Sequence, residues 1–289
     1  MPSNLEIIKL KDLKLSARLI SEQLRQGIHS GIRVGVGSEF EQYRHYRPGD
    51  DPNRIDWKYF SRSGKYMIKE STTESHLHIR LMLDLSGSMN YTEEGVSRLE
   101  YAKNLLASLA YLAFLQGDSL SYFTLSQGKI EQKVGPSPKS FQRILFSLEK
   151  EKAEGSWPLN SIPEGFVQGR NRELVIWVSD FLQQDSEWAQ LVKEFQHPRK
   201  ELILVQILGE QELDFQMDGN FVFQDLETGK EFIQDSKSVK AEYNRRFQAY
   251  LKQLDQEFLS SQTHLIRGSL KTPLAEMARN ILNQKRFGI

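Results

Sequence analysis

The sequence predicts a doubly wound α/β domain whose central sheet is mostly parallel, preceded by a smaller unit. Three short apolar runs, at residues 79–83, 174–178 and 202–208, are typical of strands that are buried on both faces of a sheet. Helical patterns lie between these runs, which is the arrangement of βαβ crossovers. Residues 98–116 are apolar on nearly all sides, as expected for a buried helix packed on the sheet.

The first quarter of the chain has a different character. Residues 10–28 have the pattern of an amphipathic helix, and residues 31–75 are predicted to form loops and short strands. We therefore expect an N-terminal helix and a small β-rich subdomain over residues 1–75, followed by an α/β domain over residues 76–289. A hairpin is predicted as an insertion in that domain near residues 220–234.

Composition excludes several classes of protein. The 289 residues include 38 basic and 38 acidic side chains, so no net charge attracts the chain to nucleic acid or anionic lipid. There is no cysteine, which excludes disulfides, zinc–cysteine sites and cysteine nucleophiles. No signal-peptide pattern is present, and no window approaches the roughly 20 apolar residues of a membrane span. We therefore predict a cytoplasmic protein with no membrane span and no nucleic-acid partner.

A candidate metal site begins directly after the first apolar run. Asp84, Ser86 and Ser88 form a D-x-S-x-S loop at the carboxyl end of that strand, where open α/β sheets bind their ligands. One carboxylate and two hydroxyls on a tight turn offer only hard oxygen donors. Such donors suit Mg²⁺, or Mn²⁺ or Ca²⁺, better than a metal that seeks thiolates.

The other half of this site comes from later loops. Asp180 follows the apolar run 174–178 as Asp84 follows the first, so both carboxylates are expected at the same edge of the sheet. Ser156 lies on a loop before that second strand, and its hydroxyl could reach the same ion. Taken alone, Asp180 could be a helix N-cap or turn residue, and the serines could simply cap the next helix. Because three loops converge, we favour a metal site made by Asp84, Ser86, Ser88, Ser156 and Asp180.

These residues carry a resemblance to a known family. The D-x-S-x-S loop, a hydroxyl on a middle loop and an Asp after a later strand resemble the metal-ion-dependent adhesion site of von Willebrand factor A domains. Asp84, Ser86 and Ser88 match the first loop, and Asp180 matches the last acidic ligand. Ser156 stands where that family usually has Thr.

An upstream block narrows the resemblance. The segment YRPGDDPNRIDWKYFSR at residues 46–62, followed by a basic strand and the D-x-S-x-S strand, closely resembles the bacterial domain-of-unknown-function family fifty-eight. The resemblance covers about residues 31–208 and implies a von Willebrand A-like domain, often encoded beside MoxR-type AAA+ ATPases. Within the block, Ile55 and Trp57 are expected to pack the small subdomain rather than to perform chemistry, because an exposed Trp is costly.

Two classes of function remain open. The favoured one is a non-catalytic adaptor whose metal captures an Asp or Glu carboxylate of a protein partner. The resemblance implies that this partner is a MoxR-type AAA+ ATPase, acting in the assembly or maturation of protein complexes. The alternative is a Mg²⁺-dependent phosphotransferase or hydrolase on a Rossmann-like sheet, with Asp84 as nucleophile. Because Ser86 stands where haloacid-dehalogenase-type enzymes need a second Asp, and no base–nucleophile pair is visible, we predict no catalytic residue.

Overall fold

The computed structural model describes most of the chain and divides it into two compact units. The described residues are 2–27, 42–47, 50, 52, 55–70, 77–155, 172–182, 187–197, 199–213, 220–224, 231–258 and 262–284. The larger unit comprises Met1–Arg33 and Leu77–Ile289, and the smaller one comprises Val34–His76. The division expected from the sequence differs in one respect, since it placed the N-terminal helix with the small subdomain.

Helices and strands alternate along the chain. The helices are α1 (Asn4–Lys9), α2 (Leu13–Gly27), α3 (Trp57–Ser63), α4 (Arg98–Leu115), α5 (Ser140–Lys150), α6 (Glu187–Phe195), α7 (Glu210–Leu213), α8 (Ser236–Glu257) and α9 (Leu274–Gln284). The strands are β1 (Gln42–His45), β2 (Met67–Glu70), β3 (His78–Asp84), β4 (Thr92–Glu93), β5 (Val96–Ser97), β6 (Ser119–Ser126), β7 (Lys129–Val134), β8 (Glu173–Ser179), β9 (Lys200–Leu208), β10 (Asn220–Gln224), β11 (Glu231–Asp235) and β12 (Thr263–Ser269).

Six of these strands form the central sheet of the larger unit. Their order is β12-β9-β8-β3-β6-β7. All neighbouring pairs are parallel except the last, in which β7 runs antiparallel to β6 as a hairpin. The strand that precedes Asp84 lies between β8 and β6, with Leu81 opposite Ile176 on one side and Tyr122 on the other. The predicted central position of this strand is confirmed.

Helices cover both faces of the sheet, which confirms the doubly wound architecture. Ile79, Leu81 and Leu83 of β3 belong to one apolar cluster, which they share with buried residues of α2, α4, α5 and α9. Met82 belongs to a second cluster, on the opposite face, with buried residues of α6 and α8. This split follows from the two-residue period of a strand, whose successive side chains point to opposite faces.

The N-terminal helices are an integral part of the larger unit. Helix α2 packs against α4 and α9. Helix α1 begins at a capping box made by Ser3 and Glu6. Buried Asn4 ties it to the start of α9, because its Nδ2 donates to Leu270 O at 2.8 Å and its Oδ1 accepts from Leu274 N at 3.1 Å. These contacts join the two ends of the chain, and no local sequence pattern predicts them.

The smaller unit contains the antiparallel pair β1–β2 and, between these two strands, α3. Asp56 caps α3 by accepting hydrogen bonds from two backbone N–H groups, and the rings of Phe60 and Tyr66 stack at 4.4 Å. Ile55 is buried as expected. The expectation for Trp57 is wrong, since this side chain is 57% exposed. Trp57 is the first residue of a helix that has no buried residue, and its ring makes an edge contact with Phe60.

The predicted hairpin near residues 220–234 is also present. Strands β10 and β11 pair antiparallel, with Phe223 opposite Phe232.

Among the described residues, no helix is both long enough and apolar enough to cross a membrane.

Candidate metal centre

The first loop of the site begins where β3 ends. Asp84 is the last residue of the strand, and its Oδ1 accepts a 2.8 Å hydrogen bond from Ser86 N, which closes a tight turn. A short 3-10 turn follows at Gly87–Asn90. The hydroxyl oxygens of Ser86 and Ser88 lie 3.0 Å apart. Asp84 and Ser86 are fully buried and Ser88 is partly buried, so the loop directs two oxygen-bearing side chains into the protein interior.

A second segment runs alongside this loop and ends beside it. Glu154 N donates to Leu85 O at 2.9 Å, and Gly87 N donates to Gly155 O. Asn90 Nδ2 donates to the carbonyl of Ala153, the residue before Glu154, at 2.7 Å. The backbone up to residue 155 therefore reaches the D-x-S-x-S loop. Ser156, the fifth ligand expected from the sequence, lies outside the described residues.

The second carboxylate comes from the neighbouring strand. Asp180 follows β8 and is fully buried. Its Oδ1 accepts a hydrogen bond from Leu182 N at 3.2 Å, and its backbone carbonyl accepts from Gln206 Nε2 at 2.7 Å. The residue before it, Ser179, donates from Oγ to Asp84 Oδ2 at 2.6 Å, so the ends of β3 and β8 are joined directly.

Burial and a neighbouring carboxylate both act on the ionisation of Asp84. Burial raises the pKa of Asp84, and the charge of Asp180 raises it further, to about 6. Hydrogen bonds from Ser179 and Ser86 act in the opposite direction, because they stabilise the ionised form. The site therefore carries negative charge that burial makes costly, and a cation would relieve this cost.

The structure adds a cation that the sequence analysis missed. The Arg98 side chain is buried, and its Nη1 lies 2.6 Å from Asp180 Oδ2 and 2.8 Å from the carbonyl of Ser88. Its Nη2 donates to Glu212 Oε2. One signal was present in the sequence: Arg98 is the first residue of α4, where the helix dipole disfavours a positive charge. A cation at that position needs an acidic partner, and here it has two.

The donor set fits a small, hard cation. Ligands at right angles around Mg²⁺, each about 2.1 Å from the ion, are separated by about 3.0 Å. The Ser86 and Ser88 hydroxyls have this spacing, which is also the length of the hydrogen bond that joins them. Within the described parts of the chain, no three His, Cys, Asp or Glu side chains are grouped so that they could hold a metal ion. A cation here would therefore depend on Asp84 and Asp180 together with the hydroxyls, rather than on acidic side chains alone.

The geometry offers less to the enzymatic alternative. Asp84 is fully buried and both of its carboxylate oxygens accept hydrogen bonds, from Ser86 N and from Ser179 Oγ. A nucleophile needs an oxygen that can approach the substrate. His78 lies at the other end of β3 from Asp84, where its Nδ1 is 3.2 Å from Glu173 Oε1.

Comparison with known proteins places the chain among bacterial relatives. It is 22% identical over 225 residues to an uncharacterized protein of Mycobacterium tuberculosis, covering 76% of this chain and 70% of the relative. An uncharacterized protein of Mycobacterium bovis matches with the same identity and coverage.

Solved structures of similar shape include the von Willebrand A domain of SpRpn10. This domain has a TM-score of 0.40 and 11% identity, and the match covers 73% of this chain and 96% of that one. Another is an aerotolerance-related membrane protein from Bacteroides fragilis, with a TM-score of 0.44, 14% identity and coverage of 72% and 97%.

The prediction of a cytoplasmic location is wrong, because the second of these structures contradicts it. The similar protein is a membrane protein, although this chain has no membrane-spanning helix among its described residues. The prediction rested on the lack of a long apolar segment, and a domain without such a segment can still belong to a membrane-bound protein.

A family model that matches most of the chain identifies the family of this protein. The family model described as "Protein of unknown function DUF58" matches residues 42–253. This range contains β1 to β11 and therefore the ends of both β3 and β8, with Asp84, Ser86, Ser88 and Asp180. The chain belongs to the DUF58 family.

Proposed function

We propose that this protein is a non-catalytic, metal-dependent protein-interaction module. Asp84, Ser86, Ser88 and Asp180 would hold Mg²⁺, or Mn²⁺ or Ca²⁺ in its place, with Ser156 as a further ligand expected from the sequence. An ion held by few charged ligands keeps an open coordination position and its attraction for oxygen anions. A carboxylate of a partner protein, from Asp or Glu, would fill that position.

The observation that carries the proposal is the convergence of buried oxygen atoms at two adjacent strand ends. Asp84 and Asp180 are fully buried, and Ser179 joins them through its 2.6 Å hydrogen bond to Asp84. The Ser86 and Ser88 hydroxyls lie 3.0 Å apart beside them. Arg98 already compensates Asp180, and burying a second carboxylate, that of Asp84, within range of its charge is costly. A divalent ion among these oxygens would supply that compensation.

The partner is proposed from the family resemblance. We expect a MoxR-type AAA+ ATPase, with which the module would act as an adaptor in assembling or maturing protein complexes. Such an adaptor has to capture its partner reversibly. An incomplete metal shell suits this task, because the affinity is moderate and the geometry is strict, and the partner is released when its carboxylate moves away.

The metal part of the proposal is tested by titrating Mn²⁺ into the protein, followed by calorimetry and by the electron paramagnetic resonance signal of free Mn²⁺. Asp84→Asn keeps the shape of the side chain but removes its charge, so binding should be lost. Asp255→Asn is the matched control, because Asp255 lies on α8, is 54% exposed and pairs with Arg267, far from Asp84 in the sequence. Equal binding by the wild type and Asp84→Asn would overturn the assignment of this site.

The partner is tested separately, with purified MoxR-type ATPase from the same organism and immobilised wild-type protein. Capture should require Mg²⁺, should be lost in EDTA, and should be lost in Asp84→Asn but not in Asp255→Asn. Capture that is equally strong in EDTA would leave an interaction module but remove the metal from it. The lack of capture under any condition would overturn the choice of partner.

A further inference from the structure

The guanidinium of Arg98 contacts the Asp180 carboxylate, which a metal ion in the proposed site would also use as a ligand. Its guanidinium Nη1 lies 2.6 Å from Asp180 Oδ2, and the two side chains are 1% and 0% exposed. The same nitrogen donates to the carbonyl of Ser88, which places the guanidinium between the two loops that supply the proposed ligands. A metal at Asp180 would have to share Oδ2 with this cation or use Oδ1, which already accepts a hydrogen bond from Leu182 N.

The guanidinium has a second acidic partner that is not part of the proposed site. Nη2 donates to Oε2 of Glu212 on α7, whose side chain is 18% exposed. The Arg98 charge is thus shared between a carboxylate that belongs to the site and one that does not. A charge with two alternative partners can leave one without losing its compensation, which lowers the cost of moving it.

The position of Glu212 is itself fixed by several contacts. Its Oε2 also accepts from Gly209 N at 2.6 Å, and its backbone carbonyl accepts from the Tyr243 hydroxyl on α8 at 3.2 Å. Two residues before Glu212, Glu210 N donates to Oε2 of Glu93 at 2.7 Å. The segment that carries Glu212 is therefore tied both to α8 and to the β4–β5 hairpin.

We infer that Arg98 is an internal competitor for the proposed metal site, which holds Asp180 in the metal-free protein and moves to Glu212 alone when the site is loaded. This inference rests on the proposed function, since it assumes that Asp180 is a metal ligand. Two cations cannot share Asp180 Oδ2 at contact distance without strong repulsion. The Arg98–Asp180 contact therefore sets the affinity of the site, and Glu212 sets how readily that contact is released.

Two substitutions at the Arg98 network should change the Mn²⁺ affinity in opposite directions. Arg98→Gln removes the competitor and should tighten Mn²⁺ binding by about tenfold, within the usual range of coupling between two binding events. Glu212→Gln removes the alternative partner, so Arg98 is left with Asp180 and Mn²⁺ binding should weaken several-fold. A purely structural role for this network would weaken binding in both variants.

Two controls separate competition from general electrostatics and from misfolding. Glu210→Gln removes one negative charge from the same segment without touching Arg98, and should leave the Mn²⁺ affinity nearly unchanged. Arg98→Lys keeps the charge but loses the planar fork that binds two partners, and should tighten Mn²⁺ binding less than Arg98→Gln does. If Arg98→Gln does not fold, Glu212→Gln still tests the inference, because its side chain is partly exposed.

The outcomes distinguish this inference from the proposed function. If the wild type binds Mn²⁺ and Glu212→Gln binds it as tightly or more tightly, the competition is refuted while the metal site stands. If the wild type, Arg98→Gln and Arg98→Lys all fail to bind Mn²⁺, both the metal site and the competition are refuted. Tighter binding by Arg98→Gln together with weaker binding by Glu212→Gln would support both.

Discussion

Ser179 donates a 2.6 Å hydrogen bond from its hydroxyl to Oδ2 of Asp84, so the residue that precedes one buried carboxylate holds the other one in place. The same hydroxyl accepts a 3.0 Å hydrogen bond from Phe181 N, which fixes its orientation. Because Ser179 donates to the carboxylate, it stabilises the ionised form of Asp84 against the effect of burial. The relative positions of two neighbouring strand ends thus determine the charge of the site.

Removing this hydroxyl should make Asp84 harder to ionise. In metal-free protein, burial and the charge of Asp180 raise the pKa of Asp84 to about 6, and Ser179→Ala should raise this pKa further. Ser179→Thr keeps the hydroxyl and should restore the wild-type value. The measurement is a pH titration of the Asp84 carboxyl carbon by NMR. A midpoint in Ser179→Ala that is equal to or below the wild-type midpoint would contradict the role given to this hydrogen bond.

The ionisation of Asp84 should also make the free energy of unfolding depend on pH. The pKa of Asp84 is raised from 3.8 to about 6 in the folded protein, so the folded state binds the proton more tightly than the unfolded state. Its contribution to the free energy of unfolding should therefore fall as the pH rises from about 4 to about 6, by on the order of 3 kcal/mol. Asp84→Asn mimics the protonated form, so the difference between variant and wild type, measured by urea unfolding, should grow across this window. A constant difference would refute this.

The first half of the site follows from sequence because it depends on local pattern. An apolar run predicts a central strand, and Asp84 and Asp180 come directly after two such runs. Parallel strands put their carboxyl ends at one edge of a sheet, so the two carboxylates could be brought together without knowledge of the loops. The predicted hairpin near residues 220–234 rested on local pattern in the same way.

The other contacts of the site depend on pairs far apart in sequence. Arg98 reaches Asp180 across 82 positions and Glu212 across 114. No periodicity encodes such pairs, and only the unfavourable place of Arg98 at a helix N-terminus hinted at an acidic partner. Likewise, the anchoring of α1 by Asn4 to Leu270 spans 266 positions. Local pattern gives the elements and their order, whereas long-range polar contacts need the folded chain.

A second buried charge cluster, at the opposite edge of the sheet, should be important for stability. Glu173 Oε1 lies 3.2 Å from Arg80 Nη2, and Glu173 Oε2 lies 3.2 Å from Lys200 Nζ. All three side chains are less than 10% exposed. Burial alone would raise the pKa of Glu173, but His78, Arg80 and Lys200 outweigh it and lower the pKa to about 2.

Glu173→Gln should therefore destabilise the protein strongly, because two cations stay buried without their shared carboxylate. A loss of about 3–5 kcal/mol in the free energy of unfolding is expected. The lowered pKa means that the wild type gains its full benefit above about 4.5 and loses it as the pH falls towards 2. Glu131→Gln is the control, since Glu131 is 65% exposed and its pair with Lys133 should contribute little. Similar losses in both variants would contradict the importance of the cluster.

The last prediction concerns Gly209, which connects β9 to the segment that carries Glu212. A Cβ at this position would lie 2.5 Å from Cε1 of Tyr91 and 2.7 Å from Oε2 of Glu93, distances that real Cβ atoms do not show. Glu93 Oε2 accepts a hydrogen bond from Glu210 N, and the ring of Tyr91 lies 4.9 Å from the Arg98 guanidinium. Other contacts therefore restrain both side chains that the Cβ would meet.

Gly209→Ala should therefore force the Tyr91 and Glu93 side chains away from this segment. A loss of about 1–3 kcal/mol in the free energy of unfolding is expected, which is the usual cost of overpacking. Gly135→Ala is the matched control, because its Cβ would meet only the flexible end of Gln132, at 3.2 Å. Urea unfolding at pH 7 measures both variants. If Gly209→Ala costs no more than Gly135→Ala, then the segment that holds Glu212 can shift freely, and its close packing against Tyr91 is not needed to position Glu212 beside Arg98.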